Sequence, residues 1–218
     1  MLKAIRPIIG AEVAKNTVRG QYRGYREAER VAPDSQTATY AVLRLQIDNN
    51  RWKGVPFFLR SSKSLDRKCT EIVIKFNCLP YAVIPMPAAE KITPNLLAIC
   101  IQPNEGIFLR FEAKVPDTEA DMRSVEMEFH YRDSFGESAV PEAYERLILE
   151  IIQGDHTLFN QDELTELSWK LFDPIIQHWQ KENTPALQIY EPNSWGPQSA
   201  DQLIAEAGWE WLVTCGVH

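Results

Sequence analysis

From residue 39 to residue 131 the apolar positions recur with a period of two, the spacing of strands whose two faces differ. Leu43, Leu45 and Ile47 alternate with Arg44 and Gln46, and Ile72, Ile74 and Phe76 alternate with Glu71 and Lys75. In IFLRFEAK, Ile107, Leu109, Phe111 and Ala113 share one face against Arg110, Glu112 and Lys114. In SVEMEFHY, Val125, Met127, Phe129 and Tyr131 oppose Glu126, Glu128 and His130. Such alternation favours antiparallel pairing, because strands of parallel sheets are apolar on both faces. The expectation is a large, one-sided sheet.

After residue 140 the period changes. PEAYERLILEIIQGD opens on Pro141, suited to a first helical turn, carries apolar residues at helical spacing and ends near Gly154. A second helix starts around Asn160 in NQDELTELSWKLFD, where early acids complement the helix dipole, and Pro174 breaks or kinks it before IIQHWQKEN. A third fits QSADQLIAEAG, with Ser199 as the cap and Gly208 as the stop. Strands first and helices afterwards predict an α+β fold: a large, mostly antiparallel sheet with helices packed on its apolar face, over a single domain of residues 1–218. The stretch RGYREAERVAPDSQT reads as a loop leading into the first strand.

A net charge of −7 argues against broad nucleic-acid or anionic-membrane binding, which needs a basic face. No run of about 18 apolar residues suggests a membrane span, and the apolar start is broken by Arg6, Pro7 and Glu12, unlike a signal peptide. The expected location is the cytoplasm. Cys69, Cys78, Cys100 and Cys215 form no C-x-x-C pair, and a chain of 218 residues needs no stapling, so reduced thiols are expected. His130, His156, His178 and His218 are scattered, and no metal site is expected. No two glycines lie closer than Gly20 and Gly24, so neither a G-x-G-x-x-G turn nor a Walker loop exists, and no Rossmann domain is expected.

One segment departs from the acidic background. Between VPFFLR and TEIVIKF, both strand-like, SSKSLDRKC places Lys63, Arg67 and Lys68 beside Arg60, with Asp66 as the one acid among residues 60–68. A loop at a strand end holds two lysines on a rigid base, and each ammonium can give charge-assisted hydrogen bonds to a phosphate. Charge alone is equally the mark of lysines that keep a sheet edge from sticking to its neighbours.

In order along the chain, RGQY, DSQTATYAVLRLQIDNNRWKGVPFFLR, TEIVIKF, IQPNEGIFLRFEAKVP, PEAYERLILEIIQGDHTLF and SWGPQSADQL resemble the C-terminal half of glucose-6-phosphate dehydrogenase of the bacterial type. R-W-x-G-V-P-F, I-Q-P-N-E-G and A-Y-E-R-L-I-L are long strings in the correct order, so the similarity is specific. It implies a large antiparallel sheet with helices that also forms a dimer interface. It implies sugar-phosphate contacts from Lys63 and Lys68, with Gln102 contributing to the same pocket. The substrate implied is glucose 6-phosphate, oxidised to its lactone with reduction of NADP in the pentose phosphate pathway. Arg67 has no role in the match and reads as a solvated charge.

Two departures bear on that expectation. Ser62 stands where the family has glycine, which matters if the turn there needs a positive φ. The sequence also begins at Met1 where the family's second half begins, so the nucleotide-binding half and the catalytic histidine are expected to be absent. No catalytic residue is then assigned to this chain, and no cofactor is expected to bind it alone. His130 and His156 are read as local structure and His178 as helix surface. A second, structural NADP site found in some members is expected to be lost: Arg60 and Arg110 keep their charge, but Cys69, Val73, Cys100 and Phe108 replace the other groups. The partners expected are glucose 6-phosphate and a second copy through the sheet, or a separate full-length dehydrogenase subunit. The alternative is a non-catalytic homologue that regulates such an enzyme.

Overall fold

The structure, a computed structural model, describes residues 2–78, 93–118, 121–136 and 143–215. In chain order its main elements are α1 (Ala11–Asn16), β1 (Thr17–Tyr22), β2 (Tyr40–Leu45), β3 (Phe57–Ser62), β4 (Thr70–Lys75), β5 (Leu96–Gln102), β6 (Gly106–Lys114), β7 (Met122–His130), α2 (Tyr131–Phe135), α3 (Ala143–Gln153), α4 (Asp162–Glu182), β8 (Gln188–Tyr190) and α5 (Gln198–Ala205). They divide into two compact units. The first holds Met1–Arg67 and His156–Trp211, the second Lys68–Asp155 and Leu212–His218.

The first unit is built on a four-stranded sheet in the order β3-β2-β1-β8. β1, β2 and β3 pair antiparallel, while β8 joins β1 in parallel. Val18, Tyr40, Val42 and Tyr190 on one face bury Ala200 and Leu203 of α5. Leu43 on the other face, with Ala41 and Leu45, buries Val13 of α1 and Ile175 and Trp179 of α4. Both faces of this sheet are therefore covered. Gly20, opposite Tyr40, makes room for that core: a Cβ there would lie within 3.2–3.3 Å of Gln188 O, Tyr190 and Tyr40.

Helix α4 runs through Pro174, which removes one backbone donor without ending the helix, where the sequence predicted a break or kink. Its first turn carries Asp162 and Glu163 as expected, and Glu163 pairs with Lys3 at 2.6 Å. Asn183 closes it in the left-handed conformation. For α5 the N-cap position falls on Pro197, so Ser199 is not the cap; its buried Oγ has no hydrogen-bond partner among the described residues, and Gly208 follows the helix with φ +79°.

The second unit is a four-stranded antiparallel meander, β4-β5-β6-β7. Ile107 faces Phe129 and Leu109 faces Met127 across β6 and β7, as the alternation predicts. The face that is covered is the other one. Leu96, Ala98 and Phe108 form its buried core, with Val73 and Leu212 packed against it. The continuous apolar face stays open: Ile72 is 50% exposed, Ile107 42% and Met127 60%. Gly106 is required where β6 meets β7, because a Cβ there would fall 2.5 Å from Phe129 O. Helix α3 ends at Gly154, φ +70°, as read from the sequence, whereas Pro141 and His218 lie outside the described residues.

The α+β class with mostly antiparallel pairing holds, with the strands shared between two sheets. Two strands were missed. β1 begins directly after α1 with no turn signal, and β8 is three residues long, too short for any periodicity. The expectation of reduced thiols is corrected for one pair: Cys100 and Cys215 form a disulfide, their Cα atoms 5.6 Å apart across a sequence separation of 115. Cys69 and Cys78 remain thiols.

Candidate functional site

Lys63 follows β3 in the first unit, and the backbone around it is tightly held. Its amide donates to Thr39 O at 2.9 Å, and its carbonyl accepts the Tyr190 hydroxyl at 2.6 Å. The loop beyond it is laced to the chain after β8. Asn193 donates to Ser64 O at 2.9 Å, Asp66 donates to Ser194 O at 3.2 Å, and Leu65 bridges to Ser194. The Lys63 side chain itself is exposed, and among the described residues its ammonium has no ion-pair partner. Such a residue has a fixed root and a free cation.

Ser62 ends β3 in register with Tyr40, so its backbone is extended and needs no glycine. The left-handed residue of this loop is Ser64, φ +52°, two positions later. A positive φ at a non-glycine residue costs about 1–2 kcal/mol, offset here by the backbone bonds that hold the loop.

Arg67 is exposed, as the sequence suggested, but not isolated. It pairs with Asp66 at 3.3 Å and lies 6.0 Å from the Trp195 ring. Arg60 sits between two indoles, 5.0 Å from Trp195 and 4.4 Å from Trp211. Tyr40, buried beside it, donates to Trp195 O at 3.3 Å. Burial pushes the Tyr40 hydroxyl up to about 12, with Arg60 pulling the other way. This aromatic and cationic cluster stiffens the surroundings of Lys63.

In the second unit Lys68 stands two residues before β4, exposed. Gln102 ends β5, exposed, and its Nε2 donates to Thr70 Oγ1 at 2.8 Å. Thr70 is also its register partner, with a bulge between Thr70 and Glu71. Lys68 and Gln102 thus belong to the same end of this sheet.

His130 and His156 sit in local structure as read, while His178, read as helix surface, is half-buried. His130 ends β7 with Nε2 3.4 Å from Glu128 Oε2, His156 heads a turn whose carbonyl accepts Phe159 N, and His178 lies on α4. Asp155 occupies a turn, its amide donating to Glu150 O at 2.9 Å. Glu71, Cys100 and Cys215 bring possible metal-ligating atoms within 4.8 Å of one another, but both sulfurs are spent in the disulfide.

Of the positions compared with a second NADP site, the retained Arg60 lies between two indoles, while of the replacements Phe108 is buried in the core and Cys100 is bonded in the disulfide. Sequence reasoning missed Arg19 altogether. It is 1% exposed, donates to Pro185 O at 2.8 Å and to Asn183 Oδ1, and burial lowers its pKa. It ties β1 to the end of α4. An arginine inside the unrecognised strand β1 carried no local signal.

Residues 1–212 match the family profile described as glucose-6-phosphate dehydrogenase, C-terminal domain. The chain is 40% identical over 207 residues to glucose-6-phosphate 1-dehydrogenase 2 of Mycobacterium tuberculosis, a match covering 90% of this chain and 40% of the relative. It is 41% identical over 227 residues to glucose-6-phosphate 1-dehydrogenase of Aggregatibacter actinomycetemcomitans, covering 100% of this chain and 44% of the relative. Among solved structures, glucose-6-phosphate 1-dehydrogenase from Mycobacterium avium matches with TM-score 0.77 and 32% identity over 97% of this chain and 42% of that one. A glucose-6-phosphate dehydrogenase in complex with its substrate glucose-6-phosphate matches with TM-score 0.82 and 32% identity over 97% and 44%. The chain spans less than half the length of the relatives it matches. It belongs to the glucose-6-phosphate dehydrogenase family and corresponds to the C-terminal domain of those enzymes.

Proposed function

We propose that residues 1–218 act as one functional domain that grips the phosphate of glucose 6-phosphate with Lys63 and Lys68, aided by Gln102. The observation that carries this is the exposed, backbone-anchored Lys63 five positions before Lys68, in a chain similar to a dehydrogenase solved with that substrate. Two ammonium groups suit a phosphate dianion, each contributing about 1.5–3 kcal/mol when partly desolvated.

NADP is the family's cofactor, and in this reading its dinucleotide is held by residues other than these. Among the described residues β1 and β8 form the one parallel strand pair, and no glycine-rich turn joins a strand to a helix. On this proposal hydride transfer and removal of the C1 hydroxyl proton fall to a nucleotide-binding half, and these 218 residues alone turn over no substrate.

The open face of β4–β7 supports pairing with a second copy. Ile72, Ile107 and Met127 stand on one apolar surface of a kind that soluble proteins cover with a partner. The setting proposed is the cytoplasm; among the described residues no helix is long and apolar enough to cross a membrane.

NADPH formation by the purified chain with NADP and glucose 6-phosphate should stay at background. Turnover that disappears in Lys63→Ala would refute the division of labour.

A further inference from the structure

The disulfide is a chemical feature of the second unit that the proposed function does not use. Cys100 lies on β5, half-buried, and Cys215 is 2% exposed. Glu71, the register partner of Cys100 on β4, receives the C-terminal segment through one carboxylate oxygen. Its Oε2 accepts Thr214 N at 2.9 Å, Thr214 Oγ1 at 2.9 Å and Cys215 N at 3.1 Å. Just upstream, Leu212 packs against Leu96, Ala98 and Phe108. A small cleft lined by Cys100, Gly106, Glu128, His130, Thr214 and Cys215 opens beside the bond.

We propose that the Cys100–Cys215 bond is a redox-operated fastener: a dithiol reductant opens it and loosens residues 212–215 from the β4–β7 sheet. In a reducing compartment a disulfide is made and broken rather than permanent. The reductant's thiolate attacks Sγ of Cys100, the more exposed of the two residues, and the Sγ–Sγ bond breaks. Cys215 leaves as a thiolate and takes a proton. The reductant's second thiol then displaces Cys100, which takes another proton, and the reductant closes to its own disulfide. Two electrons and two protons pass to the protein.

Glu71 slows exchange at this bond in both directions. Its carboxylate lies within 4.8 Å of both sulfurs, and a negative charge there disfavours the thiolate that leaves on opening as well as the one that attacks on re-closure. Reduction leaves the three bonds to Glu71 and the Leu212 contact to hold the segment without a covalent tie.

The test uses the whole chain, thiol counting and hydrogen exchange. In air-oxidised protein, two of the four cysteines should take a mass tag after denaturation, Cys69 and Cys78. All four should take it when the folded protein is first treated with dithiothreitol. The same treatment should raise exchange at the Thr214 amide by about tenfold or more, while Val42 in the first unit stays protected. Cys215→Ser should reproduce the fast Thr214 exchange without reductant, and Glu71→Gln should speed re-oxidation of the reduced pair. Four tagged thiols without reductant, a bond that yields only on unfolding, or unchanged Thr214 exchange after reduction would each overturn the proposal.

Discussion

The hydroxyl of Tyr190 donates to the carbonyl oxygen of Lys63 at 2.6 Å, so the residue that ends β8 fixes the backbone from which the lysine reaches out. The same hydroxyl lies 3.2 Å from Thr39 Oγ1, and the carbonyl of Thr39 takes the Lys63 amide. Tyr190→Phe removes the donor and leaves a partly buried carbonyl short. A loss of about 1–3 kcal/mol in urea unfolding is expected, together with weaker glucose 6-phosphate binding. An unchanged midpoint and unchanged binding would mean that Lys63 is held by its other contacts.

Gly196 marks a second close approach in the same region. Its φ is +105°, and a Cβ there would fall 2.1 Å from the Tyr40 ring. Gly196→Ala combines backbone strain with overpacking of a buried tyrosine, and about 3 kcal/mol of destabilisation should follow. A thermal midpoint within a degree or two of the parent would show that the Trp195–Gly196 turn yields easily.

High pH should unlock the same tyrosines. The unfolded Tyr40 ionises near its ordinary value of 10.0, but burial holds the folded one neutral to about 12. Burial moves Tyr190 in the same direction. A raised folded pKa means that the stabilisation is complete below about pH 10 and declines as pH climbs towards 12, where the unfolded chain alone gains charge. Urea midpoints measured from about pH 9 to pH 11.5 should therefore fall, and Tyr40→Phe should flatten the slope. A slope identical in the variant would assign the effect to other groups.

The open sheet face gives a prediction about assembly. Met127→Lys places a charge at a 60% exposed position of the apolar surface, on the edge strand β7, without touching the buried Leu96, Ala98 and Phe108. Light scattering should find twice the 25.0 kDa of one chain for the parent and a single chain for the variant, with circular dichroism unchanged. A parent that stays monomeric at micromolar concentration would remove the case for pairing through this face.

Sequence alternation located β2, β4, β6 and β7 because each alternates over several residues, and it correctly grouped Ile107 with Leu109 and Phe111. It misassigned which face is buried. Period-two patterning reports that two faces differ, and an apolar face saved for a partner looks the same as one facing a core. It also could not divide the strands between sheets, since SSKSLDRKC reads as a plain connection although β3 and β4 end in different sheets. Lys63, Lys68 and Gln102 were legible only through long motifs in order. The Tyr190 bond, the Arg19 tie and the Cys100–Cys215 bridge depend on partners more than 100 residues away, and local patterns carry nothing of them.

The grip on the sugar phosphate is tested most directly by titrating the purified chain with glucose 6-phosphate by calorimetry or NMR. Binding in the region of about 1 mM is expected, weakened about tenfold by Lys63→Ala or Lys68→Ala and abolished by both together. Equal affinity in parent and double variant, or equal affinity for glucose and glucose 6-phosphate, would contradict it.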